Sequence, residues 1–79
     1  MREEIYEVMV KKIAQVFCVS EDGLSESTRF AELEAKSSQL VQITTSMEDE
    51  FDVEIPFMTF KRQQSIGDAV NYVLELVEE

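Results

Sequence analysis

The 79-residue chain sets 17 Asp+Glu against 7 Lys+Arg, with no His and one Cys, for a formal net charge of −10; this is the length of one domain, residues 1–79, near the lower limit for folding alone. A lone Cys18 without His excludes an internal disulfide, a Cys/His zinc site and the His-dependent catalytic dyads and triads, and the acidic balance argues against nucleic acid and anionic membranes as partners. Apolar residues make up 44% of the chain, too many for a disordered acidic tail and enough for one modest core of amphipathic elements.

Ile5, Val8, Met9, Ile13, Val16 and Phe17 recur at the three- and four-residue steps of one helical face, which predicts a helix over 2–17 with Glu7 and Lys11 as an i,i+4 pair. A connection over 18–36 follows. Ser20, Asp22, Gly23, Ser25, Ser27 and Thr28 break the periodicity there. So long a loop is unusual in a small domain, and Val19, Leu24, Phe30 and Leu33 are expected to pin it to the core. Cys18 is read as a small apolar filler at the end of the first helix. Leu40, Ile43, Thr44, Met47 and Phe51 predict a second helix over 37–51, with Ser37 or Ser38 as its N-cap. Ile55, held extended by the following proline, ends it. Pro56 as an N1 residue then opens a short helix over 57–62. Ile66, Ala69, Val70, Val73, Leu76 and Val77 predict the last helix over 66–77, with Ser65 and Asp68 resembling a capping box. The expected fold is all-α: a four-helix bundle with three long helices, one short helix and a long first loop.

No apolar run is long enough to span a bilayer, and Met-Arg-Glu-Glu-Ile opens directly into amphipathic sequence. A cytoplasmic monomer that does not insert in membranes is the expectation. No catalytic constellation and no metal site stand out, so the chain is not expected to be an enzyme.

Met47-Glu48-Asp49-Glu50-Phe51-Asp52-Val53-Glu54-Ile55-Pro56 resembles the "LEEEF…EIP" segment of the acyl carrier protein family. Glu32-Leu33-Glu34-Ala35-Lys36-Ser37-Ser38 falls where that family has "DLGADSL", and Ser65-Ile66-Gly67-Asp68-Ala69-Val70 with Tyr72-Val73 is similar to its "TV.DAV.YI" helix. The resemblance covers nearly the whole chain. It implies a 4′-phosphopantetheine arm on Ser37, with Ser38 as the fallback position. Acyl intermediates would ride on that arm as thioesters in fatty-acid, polyketide or related secondary-metabolite synthesis. The implied partners are a phosphopantetheinyl transferase and acyl-processing enzymes with basic docking surfaces.

Several positions depart from the family pattern. Lys36 stands for the Asp before the serine, Ser38 for the Leu after it, and Glu34 for the Gly of "DLG". Gln39 and Gln42 replace acids expected early in the second helix, while Glu48, Asp49, Glu50, Asp52 and Glu54 crowd its end. Lys36, Gln39, Gln42, Glu48 and Asp49 are therefore the partner-recognition candidates, and the thinned acid predicts a specialised carrier with a dedicated partner set. Leu40, Met47 and Phe51 are the candidate walls of an acyl cavity. Two alternatives stand beside this reading. One is a carrier-like interaction module that is never loaded. The other is a small acidic calcium-binding helical protein; if Gly23 were the sixth loop position, Cys18 and Arg29 would fall at the first and twelfth, and neither is an oxygen donor.

Overall fold

A computed structural model describes all of residues 1–79. Four helices follow in chain order: α1 Arg2–Phe17, α2 Ser37–Phe51, α3 Phe57–Lys61 and α4 Ile66–Glu78. They coincide with the expected elements to within a residue at each end, because each carries an apolar stripe at helical spacing that the core then buries. α1 packs against both α2 and α4, and α3 packs against α2. The core is built from Ile5, Met9 and Ile13 of α1, Ile43 and Met47 of α2, Phe60 of α3, and Ile66, Val70 and Val73 of α4. No helix is long and apolar enough to cross a membrane.

Local details differ from the sequence reading. The N-cap of α2 is Lys36, and Ser37 is the first helical residue. Lys36 has no side-chain acceptor, but the Gln39 Oε1 atom accepts a hydrogen bond from the Lys36 backbone N–H at 2.9 Å. That is the return half of a capping box, and it fixes the helix start without a Ser cap. Pro56 is the extended residue before α3, at φ −60° and ψ 115°, so it caps this short helix from outside. Ser65 does cap α4, its hydroxyl accepting from the Asp68 N–H at 3.2 Å. Cys18 is exposed: it closes α1 in the left-handed conformation at φ 57°, which turns its side chain away from the core. Val19, next to it, is exposed too. The ion pairs are Arg2–Glu26 and the N-terminal amine with Glu4, and the expected Glu7–Lys11 pair does not form.

The connection 18–36 is held chiefly by backbone. Glu21–Gly23 form one turn of 3₁₀ helix. Leu24 and Phe30 are buried and Leu33 is half-buried. Three hydrogen bonds then stitch the loop to the entry of α4: Phe30 N–H to Gln64 C=O at 3.0 Å, Ile66 N–H to Thr28 C=O at 2.9 Å, and Gly67 N–H to Glu26 C=O at 2.9 Å. They satisfy backbone groups that a core-facing loop would otherwise leave unpaired. A side chain at buried Gly67 would put its Cβ 3.0 Å from the Glu26 carbonyl oxygen, so any other residue there has to push the loop back by a few tenths of an ångström. Arg2 reinforces the clasp, its Nη1 donating to Glu26 at 2.9 Å and its Nε to Asn71 at 2.8 Å. Hydrogen bonding to Arg2 holds the Glu26 carboxyl below its ordinary range. The contribution of this pair is thus present at neutral pH and fades as pH falls through the lowered value.

Candidate functional site

Residues 30–35 form a tight turn that delivers the chain to α2. Leu33 N–H and Ala35 N–H both donate to the Phe30 carbonyl, at 3.1 and 3.3 Å, and Glu34 N–H donates to Ala31 at 3.2 Å. Phe30 is buried, so the turn hangs from the core. Glu34 sits at φ 53°, in the left-handed region. This is the position where the resembling motif has Gly: the backbone shape is kept and the residue that adopts it without strain is not. A left-handed non-glycine costs about 1–2 kcal/mol, partly offset by the smaller unfolded-state freedom of Glu. Glu34→Gly is expected to raise stability by about 0.5–1 kcal/mol, read from urea denaturation midpoints.

Immediately beyond, Lys36, Ser37 and Ser38 are all exposed. Neither serine side chain makes a hydrogen bond within the protein, the bonds at this turn being those of Lys36 and Gln39. The Ser37 and Ser38 N–H groups are also unpaired, whereas Gln39 and Leu40 N–H both reach the Lys36 carbonyl at 3.0 Å. Two free donors at the positive end of a 15-residue helix, beside a lysine ammonium, suit an esterified phosphate. The residues present therefore fit the head of a phosphopantetheine group at this turn. Helical spacing separates the two serines. Ser37 lies three and seven residues before buried Leu40 and Thr44, along one face, while Ser38 lies along the exposed face of Val41, Gln42 and Thr45.

The other candidates do not all gather here. Leu40 borders a groove of about 370 Å³ between the 29–35 turn and the end of α3. Met47 is fully buried in the core and Phe51 is half-buried, and neither borders a cavity. Gln42 is exposed, while half-buried Gln39 is committed to the cap. Asp49 and Glu50 share a groove of about 560 Å³ with Lys11 and Lys12 of α1, which offsets part of the acid at this end. Glu48 turns inward: its Oε2 accepts from the buried Ile55 N–H at 2.8 Å and ties down the 52–56 connection. Sequence spacing treats Glu48 as one more acid in a run, and its seven-residue reach to Ile55 is visible only in three dimensions. Glu48→Ala is expected to lose about 1–3 kcal/mol by orphaning that N–H, and Glu48→Gln to lose much less, as thermal or urea unfolding of the pair will show.

Arg29, Lys61 and Arg62 line the groove beside Leu40 and were not singled out by sequence reading. They lie some thirty positions apart in the chain, and only folding brings them together.

The chain matches the family described as "Phosphopantetheine attachment site" over residues 7–73. It is 39% identical to an acyl carrier protein of Lactobacillus acidophilus over 72 residues, covering 90% of each chain. It is 30% identical to an acyl carrier protein of Picosynechococcus over 76 residues, covering 95% of this chain and 94% of that one. An acyl carrier protein of Clostridium acetobutylicum is 37% identical over 54 residues, 68% of this chain and 70% of that one.

Proposed function

Because the chain belongs to the acyl carrier protein family and takes its 4′-phosphopantetheine group, we propose that the attachment point is Ser37 and that residues 1–79 work as one carrier unit. The protein is a carrier and not an enzyme. The observation that supports Ser37 is its idleness: an exposed serine at the first position of α2, in helical register with Leu40 and Thr44, whose expected capping role belongs to Lys36 and Gln39. When bound, the arm supplies a terminal thiol that holds acyl groups as thioesters. The chain's own share is positional. The turn 30–35 sets the helix start, the free Ser37 and Ser38 N–H groups face the esterified phosphate, and Lys36 adds a mobile positive charge. Intact mass after co-expression with a broad-specificity phosphopantetheinyl transferase tests this directly. One arm per chain is expected, and fragmentation should place it on Ser37. A chain of unmodified mass would instead favour the unloaded interaction module.

Acyl carrier proteins work with phosphopantetheinyl transferases and acyl-processing enzymes. We infer that this carrier meets basic docking surfaces through the exposed acids Asp49, Glu50, Asp52 and Glu54, acts as a monomer in the cytoplasm, and serves fatty-acid, polyketide or related synthesis. The first turn of α2 holds no acid, and this supports a restricted partner set, since complementary charge chiefly sets encounter rate and partner choice. The variant Lys36→Asp/Gln39→Glu/Gln42→Glu keeps the capping acceptor at position 39 while restoring acid. A transferase that serves housekeeping carriers is expected to load it about tenfold or more faster than wild type at low salt, with the gain shrinking as salt rises. Equal rates would remove the case for a dedicated set.

A further inference from the structure

The groove beside Ser37 has a character opposite to the rest of the molecule. Its floor is apolar, with Phe30, Ala35 and Leu40, and its rim carries Arg29, Lys61 and Arg62. No acid lines it, in a chain where acids outnumber bases 17 to 7. Three of the seven cations thus converge on one concavity, and none of them forms an ion pair. Exposed cations gathered on one concavity in a chain of net charge −10 make a local positive field that attracts anions. Arg29 is also held in place, its Nη2 donating to Gln64 Oε1 at 3.0 Å and its backbone bridged to Ser65. Ala35 and Leu40, both in the lining, lie two residues before and three residues after Ser37, which places the groove within a turn of the proposed attachment point. Its volume of about 370 Å³ lies at the small end of ligand sites.

We propose that this groove receives the carrier's own cargo, and that the cargo is a short acyl chain ending in a carboxylate. The apolar floor covers the methylene segment, and Arg29, Lys61 and Arg62 meet the terminal charge. This rests on attachment at Ser37 and adds the class of acyl group to it.

The test compares chains loaded by a transferase from the matching coenzyme A thioesters with succinyl, pentanoyl or β-alanyl arms, and chains carrying the bare arm. Intact mass verifies loading before any spectrum is read. Failure at that step overturns the attachment reading, and this proposal with it, whereas failure at the next overturns this proposal alone. Amide shifts of residues 29–31 and 61–64 are then recorded against the bare-arm form. The docked fraction read from these shifts is expected to be roughly two- to fivefold larger for succinyl than for pentanoyl, the worth of an exposed charge pair, and smallest for β-alanyl. The succinyl excess should vanish in Lys61→Gln/Arg62→Gln and survive in Lys11→Gln/Lys12→Gln. Equal shifts for succinyl and pentanoyl would overturn the proposal. So would shifts already complete with the bare arm, which would assign the cations to the arm's phosphate.

Discussion

Ser37→Ala, co-expressed with a broad-specificity phosphopantetheinyl transferase, is expected to emerge entirely at its unmodified mass, while Ser38→Ala gains one arm as wild type does. The effect on loading is complete because Ser38, the other hydroxyl in the first turn of α2, lies along the separate face of Val41, Gln42 and Thr45. The same substitution should leave stability almost untouched. The Ser37 side chain makes no hydrogen bond, alanine is at least as good a helix former, and the cap is made by Gln39. An unfolding temperature within the range of a neutral surface change, together with total loss of the arm, separates an attachment role from a structural one. The reverse result, an arm on Ser37→Ala and none on Ser38→Ala, would move the site by one residue.

Phe60→Ala is expected to produce the largest loss of stability in the molecule, about 3–5 kcal/mol. A chain of this length has roughly 4–12 kcal/mol in total at the usual per-residue value, so the variant stands close to unfolding. Phe60 is 1% exposed and is the buried residue of α3. Its ring meets that of Phe30 at a centroid distance of 6.4 Å and an interplanar angle of 49°, an attractive tilted geometry. A helix of five residues has no stability of its own. Losing the ring therefore releases α3 and also loosens Phe30, on which the turn before Ser37 hangs. Thermal denaturation should show a drop of more than about 12 °C, and loading at Ser37 should slow even where the fold survives. A drop of only a few degrees would show that α3 is held by contacts other than Phe60.

The helices were legible because their apolar residues repeat at helical spacing and the core confirms those stripes one by one, Ile5 with Met9 and Ile13 as clearly as Ile66 with Val70 and Val73. Pro56 announced α3, although the proline sits one position further out than expected. The proposal of Ser37 rests on the register of neighbouring motifs, since Lys-Ser-Ser has no meaning by itself. What escaped the sequence has three physical origins. The clasp between 26–30 and 64–67 is made of backbone groups, which leave no signature in side-chain type. The start of α2 was misread because capping was sought in the serines, while the oxygen that does the work belongs to Gln39, three residues on from the cap. The cationic groove joins Arg29 to Lys61 and Arg62, and no linear pattern connects positions so far apart.

The clasp also bears on the order of events as the chain is made. The turn that presents Ser37 leans on Phe30, Phe30 is bonded to Gln64, and the loop behind it closes on Ile66 and Gly67. A growing chain that has released Ser37, but still holds residues 64–67 inside the ribosome, lacks the backbone partners on which the loop and turn before α2 lean.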